Sequence, residues 1–186
     1  METPDTEQVE TPTMAGNPVV RLARVITQSA RFPGDEYGLG KGEKAALARL
    51  DVENIRPHQI SALSRALIQA DLDPESWQPD TWRRWALIAH GIALAGHNGK
   101  DSLGKQLCQA GVSESRVTKL LTARGDAFRQ LLPQLLRLLA SKETAPNWRE
   151  FGGLIIHQER NEERAEEIRL GIAGRYFSEL AKSKAN

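Results

Sequence analysis

Apolar residues recur three and four positions apart along most of the chain, and no stretch alternates with the period of two that marks a strand. The clearest run follows Ser102. From Asp126, the residues Phe128, Leu131, Leu132, Leu135, Leu138 and Leu139 predict a helix that buries this stripe. At about 100° per residue, Arg129, Gln130, Gln134 and Arg137 lie on its opposite face. Pro133 stands inside the run and predicts a kink or a break. Ser113 is placed to cap a preceding helix through Leu121, which buries Val117, Leu120 and Leu121 and stops at Gly125. Ser102 caps a short helix through Ala110, ended by Gly111.

The N-terminal half follows the same logic. Pro18 opens a helix carrying Val19, Leu22, Ala23, Ile26 and Ala30. Residues 33–42 (PGDEYGLGKG) read as a glycine-rich loop. A helix from about Glu43 to Leu50 follows, then one from Pro57 to about Ala70 with Ile60, Leu63, Ser64, Leu67 and Ile68. Another from Asp80 buries Trp82, Trp85, Ile88, Ala89 and Ile92. Trp77, Trp82 and Trp85 read as core side chains rather than as base-stacking platforms. Residues 161–182 make a final helix with Ile168, Ile172, Tyr176, Phe177 and Leu180 buried.

The fold expected is all-α, with about eight or nine helices. It divides into two small helical bundles, residues 18–99 and 100–186, joined by the short linker Gly96-His97-Asn98-Gly99. Residues 1–17 hold four acids, two prolines and no basic residue, the composition of a disordered tail.

Charge adds what the apolar pattern does not show. The 186 residues carry a net charge of only +1, yet residues 100–142 hold eight Lys/Arg against three acids. Residues 143–167 reverse this, with seven acids against three basic residues. A basic middle and an acidic end complement one another, either within the fold or between copies. No apolar run reaches the roughly 20 residues of a membrane span. The single cysteine, Cys108, rules out an intrachain disulfide and fits a cytoplasmic protein.

Candidate chemistry is sparse. His58, His90, His97 and His157 lack the spacing of a zinc site, so no metal and no cofactor is expected. The glycine-rich loop lacks the G-x-x-x-x-G-K-[ST] pattern of a phosphate loop, and no nucleophile elbow or H-E-x-x-H is present. These absences favour a binding or assembly module over an enzyme.

The order of elements is informative. SLG at Ser102–Gly104, SESR at Ser113–Arg116 followed by KLL, LLRLLA at Leu135–Ala140, and the Pro146-x-Trp148 step resemble the CasB family. Gly42–Arg49 resembles that family's early basic element, and Arg175-Tyr176-Phe177 its closing aromatic pair. CasB is the small subunit of Cascade, the type I-E CRISPR surveillance complex, and the resemblance spans roughly residues 40–180.

The resemblance implies a non-catalytic protein that joins the backbone and large subunits around a guide RNA, with a second copy of itself. There it would hold unwound target DNA, the R-loop, through sequence-independent contacts to the nucleic-acid backbone. The candidate contacts are Lys44 and Arg49 in the first bundle, and Lys105, Arg116, Lys119, Arg124, Arg129 and Arg137 in the second. Arg116 and Arg137 match the family pattern, and the others rest on charge and face. Two other functions fit the residues. One is a helical adaptor without nucleic-acid contact. The other is a helix-turn-helix regulator that reads DNA with SESRVTKLLTARG, residues 113–125.

Overall fold

The computed structural model describes residues 16–28 and 38–185. Among them the chain forms nine helices and no strand. These are α1 (Pro18–Thr27), α2 (Lys41–Ala48), α3 (Pro57–Gln69), α4 (Pro79–Ala95), α5 (Leu103–Gln109), α6 (Glu114–Thr122), α7 (Gly125–Ser141), α8 (Trp148–His157) and α9 (Glu162–Ala185). The expected tail lies outside the described residues except for Gly16 and Asn17. Asn17 caps α1, its side-chain oxygen accepting from Val19 N and Val20 N. The first half of the expected glycine loop, residues 33–37, is likewise outside the described residues, and its last two positions, Lys41 and Gly42, already belong to α2.

Two helices organise the packing. In α4, Trp85–Ala89, Gly91 and Ile92 are all buried. A helix apolar on most of its faces belongs in the middle of a fold, and α4 packs against α1, α2, α7 and α8. The second hub is α9, which packs against α5, α6 and α8. Since α8 touches both hubs and α1 also packs on α8, the buried residues of both halves form one continuous cluster.

The junction between the halves is fastened rather than loose. Trp148 is fully buried and stacks on Phe151 with ring centroids 5.1 Å apart. Its Nε1 donates to the Gly96 carbonyl at 2.8 Å and its backbone N–H to His97 Nδ1 at 3.2 Å. The ring lies so close to α4 that a Cβ on Gly91 would stand 2.1 Å from Cη2 and 2.4 Å from Cζ2. Only glycine leaves room there. Around this contact, Asn98 N donates to the Pro146 carbonyl and Gln106 Nε2 to the Asn98 carbonyl. Gln106 Oε1 in turn accepts from Asn147 N. The Gly96–Gly99 stretch therefore connects α4 to α5 while pinned to the start of α8.

His97 should make this junction sensitive to acid. Its Nδ1 accepts a hydrogen bond, so the neutral ring carries its proton on Nε2. Burial holds the imidazole below its usual range, opposed in part by a hydrogen bond with the Pro146 carbonyl. The folded pKa thus lies below the unfolded value near 6.5. Its contribution to stability is complete above that pH and lost as pH falls through the folded value. The unfolding midpoint should drop between pH 7 and pH 5. The substitution His97→Asn, which keeps an acceptor without a titrating ring, should flatten that drop in part. His157, lowered by burial and then by Arg164 and Arg160, still titrates in the variant. Identical pH profiles for the two chains would show that His97 is not the sensor.

Four details of the sequence pattern shift. Pro133 neither breaks nor divides α7, which runs unbroken from Gly125 to Ser141. A proline inside a helix costs about 3 kcal/mol. Burial of Phe128, Leu132, Leu135, Leu136 and Leu139 on one face offsets it, at roughly 1.5–3 kcal/mol each. That face is rotated relative to the expected stripe, with Leu136 buried and Leu131 and Leu138 only half-buried. Gly125, expected to end α6, is the first residue of α7 at φ 51°. In α9 the buried line is Ala165, Arg169, Ile172 and Tyr176, while Phe177 is exposed and Ile168 and Leu180 are half-buried. The crossing with α5 sets this rotation. A Cβ on Gly104 would stand 2.2 Å from the Ile172 carbonyl oxygen and 2.7 Å from Tyr176 N. Helix α5 therefore lies directly on that face of α9.

Candidate nucleic-acid interface

The eight candidate cations divide into three groups by what holds them. Arg116 and Lys119 lie on α6, whose buried residues Val117 and Leu120 turn them outward. They stand over a groove of about 160 Å³ between α6 and α7, with Leu131, Gln134, Leu135 and Leu138 as its other lining residues. Arg137 lies three residues beyond Gln134 and shares the polar side of α7 with Gln130 and Gln134. All three cations are exposed, and none has a hydrogen-bonding or ionic partner among the described residues. Three open charges of one sign beside a shallow groove suit a polyanion, because each can neutralise a phosphate without first breaking a bond.

A second group is already engaged by carboxylates. Lys105 Nζ donates to Asp101 at 2.8 Å, one helical turn away. Arg129 Nη2 donates to Glu159 at 2.9 Å, and the other oxygen of Glu159 faces Arg84 at 3.3 Å. Arg124 meets Glu162 at 3.1 Å and Glu166 at 3.5 Å. These bonds, led by that from Arg129, hold the Glu159 carboxyl below the usual carboxylate range, and Arg169 ahead of Arg124 does the same for Glu162. The basic middle and the acidic end thus complement one another within the fold.

The third group is on α2 and its C-cap, and α2 packs against α3 and α4 rather than beside the α6–α7 groove. Lys44 Nζ donates to the Thr27 carbonyl at 3.2 Å, and burial lowers its pKa. Arg49 is exposed at the edge of an open depression of about 570 Å³, its guanidinium without a partner among the described residues while its carbonyl accepts from Gln59 Nε2 at 3.0 Å. Arg56 and His58 share that depression with it. Neither was singled out from sequence, yet the signal was present. The eight-residue connection 49–56 brings the end of α2 back to the start of α3, where Pro57 and His58 follow Arg56. Among the described residues, no group of three or more His, Cys, Asp or Glu side chains is placed to hold a metal ion. No helix there is long and apolar enough to cross a membrane.

Residues 43–177 match the family described as CRISPR-associated protein Cse2. The chain belongs to that family. Cse2 and CasB are two names for the small subunit of type I-E Cascade, so the chain is a CRISPR-associated Cascade subunit that assembles with other subunits. The Cse2 match contains all eight candidate cations and both fastened crossings, Gly91 on Trp148 and Gly104 on α9. No curated protein and no solved structure matches the chain.

Proposed function

We propose that this Cse2-family chain acts without catalysis, holding the backbone of unwound target DNA inside a guide-RNA-loaded Cascade, with a second copy of itself alongside. The observation that carries this is a set of three exposed cations whose side chains have no partner among the described residues: Arg116 and Lys119, which line the α6–α7 groove, and Arg137, next in sequence to the lining residue Leu138. Backbone contact needs positive charge at phosphate spacing and no base readout. The near-zero net charge is compatible with that role. A subunit held in place by its neighbours meets DNA at high effective concentration and does not need a strong field of its own.

Binding of the purified chain to unrelated single- and double-stranded DNA across a salt series tests the proposal. The expected result is weak, sequence-independent binding in which log K falls linearly with log salt. Three contacts predict a slope of about −2 to −3. No binding at low salt would favour a helical adaptor, a role consistent with the internal pairing of Lys105, Arg124 and Arg129. Sequence-specific duplex binding would favour a helix-turn-helix regulator. Its structural support is the α5–α6 pair, joined through Gly111 at φ 70°.

A further inference from the structure

We infer that Glu159, Glu162 and Glu166 occupy Arg129 and Arg124 in place of phosphate, keeping part of the chain's capacity to bind a polyanion in reserve. This rests on the backbone-binding function proposed above and adds to it how the affinity is set. The geometry is that of a bound anion. The two oxygens of Glu159 are gripped by arginines from different helices, Arg129 of α7 and Arg84 of α4, as phosphate oxygens are gripped by converging guanidinium groups. Arg124 reaches Glu162 through Nε and Glu166 through Nη2, so one guanidinium spans two carboxylates.

The carboxylates are themselves fixed in place. Arg169 is 3% exposed and its Nη1 donates to Glu162 at 2.7 Å and to Glu166 at 3.3 Å. Its Nε and Nη2 find no partner. A buried guanidinium with unmet donors cannot release the charges it has, so Glu162 and Glu166 stay beside Arg124. The engaged arginines are close in sequence to the open cations. Arg124 sits in the short turn that follows the helix of Arg116 and Lys119, and Arg129 lies on the helix of Arg137. Arg124 and Arg129 remain about two-fifths exposed. Half-exposed ion pairs are individually weak and screened by salt. A polyanion that releases counterions on binding competes with them on favourable terms.

The test uses the full chain and a fluorescein-labelled oligothymidylate, read by anisotropy across a salt series. The substitution Glu159→Gln removes the charge and keeps the shape. It leaves Arg84 to Asp80 and leaves Arg129 only the longer contact to Asp126, at 3.8 Å. The expected result is binding tighter by roughly threefold at low salt, with a slope steeper by about 0.7. Adding Arg129→Ala should return both values to those of the unmodified chain. The pair Glu162→Gln with Glu166→Gln should add a similar gain through Arg124. Because it strands Arg169, its thermal unfolding is followed in parallel, and Glu159→Gln carries the test if it fails to fold. The substitution Glu75→Gln, at an exposed carboxylate with no ion pair among the described residues, controls for net charge. Equal gains from Glu159→Gln and Glu75→Gln, or no gain while the unmodified chain still binds, would overturn the reserve and leave the backbone-binding function standing. Failure of every chain to bind at low salt would overturn both.

Discussion

Trp148→Ala should lower stability by about 3–5 kcal/mol, the range for removing a large aromatic from a packed core. For a chain of this length that is a fall in Tm of roughly 6–20 °C. The side chain is fully buried, stacks on Phe151, and fills the space that Gly91 leaves open on α4. Alanine would leave a cavity between the central helix and α8. It would also remove the indole N–H donor of the half-buried Gly96 carbonyl, a net loss of about 1 kcal/mol. Gly91→Ala attacks the same contact from the other side, since its methyl group would stand 2.1 Å from the ring. Overpacking of that kind costs about 1–3 kcal/mol or more. The two substitutions should not add, because each already abolishes one shared fit. Urea and thermal unfolding of both single variants and the double variant measure this. A loss below 1 kcal/mol for Trp148→Ala would show that the junction is held elsewhere.

What the sequence made legible is what local rules determine. Proline at Pro18 and Pro57 and serine at Ser102 and Ser113 marked helix starts within a residue or two, because caps and first turns depend on near neighbours. Burial of individual faces was less legible. The α7 stripe was rotated toward Leu136, and in α9 the charged Arg169 took a core position that periodicity assigns to an apolar residue. Both shifts come from partners distant in sequence, α4 against α7 and α5 against α9. The candidate interface shows the same division. Helical geometry turned Arg116, Lys119 and Arg137 outward, and the structure leaves them there. Nothing local could reveal that Arg124 meets a carboxylate 38 residues away, or Arg129 one 30 residues away. The charge reversal after Lys142 was the only trace of those pairings in the sequence.

The distinction between open and engaged cations carries the prediction with the largest functional effect. The triple variant Arg116→Ala, Lys119→Ala, Arg137→Ala should fold normally and fail to retain target DNA when assembled in Cascade. Folding should survive because all three side chains are exposed and partnerless among the described residues. Such surface changes usually stay within about 0.5 kcal/mol each, and alanine favours the helices they occupy. Capture should suffer because exchanging a DNA duplex for a guide–target heteroduplex is nearly balanced, so protein contacts to the backbone decide whether the opened state persists. At about 1 kcal/mol per charged contact, three contacts amount to roughly a hundredfold in affinity. The salt slope should flatten by about 2–3. The comparison that isolates the cause is Arg124→Ala with Arg129→Ala, which removes two arginines, as the triple variant does, but only engaged ones, and should leave capture within a few-fold of the unmodified chain. Capture by the triple variant at the unmodified level would remove Arg116, Lys119 and Arg137 from the interface. Equal losses from both variants would mean that net charge, rather than the open face beside the α6–α7 groove, holds the DNA.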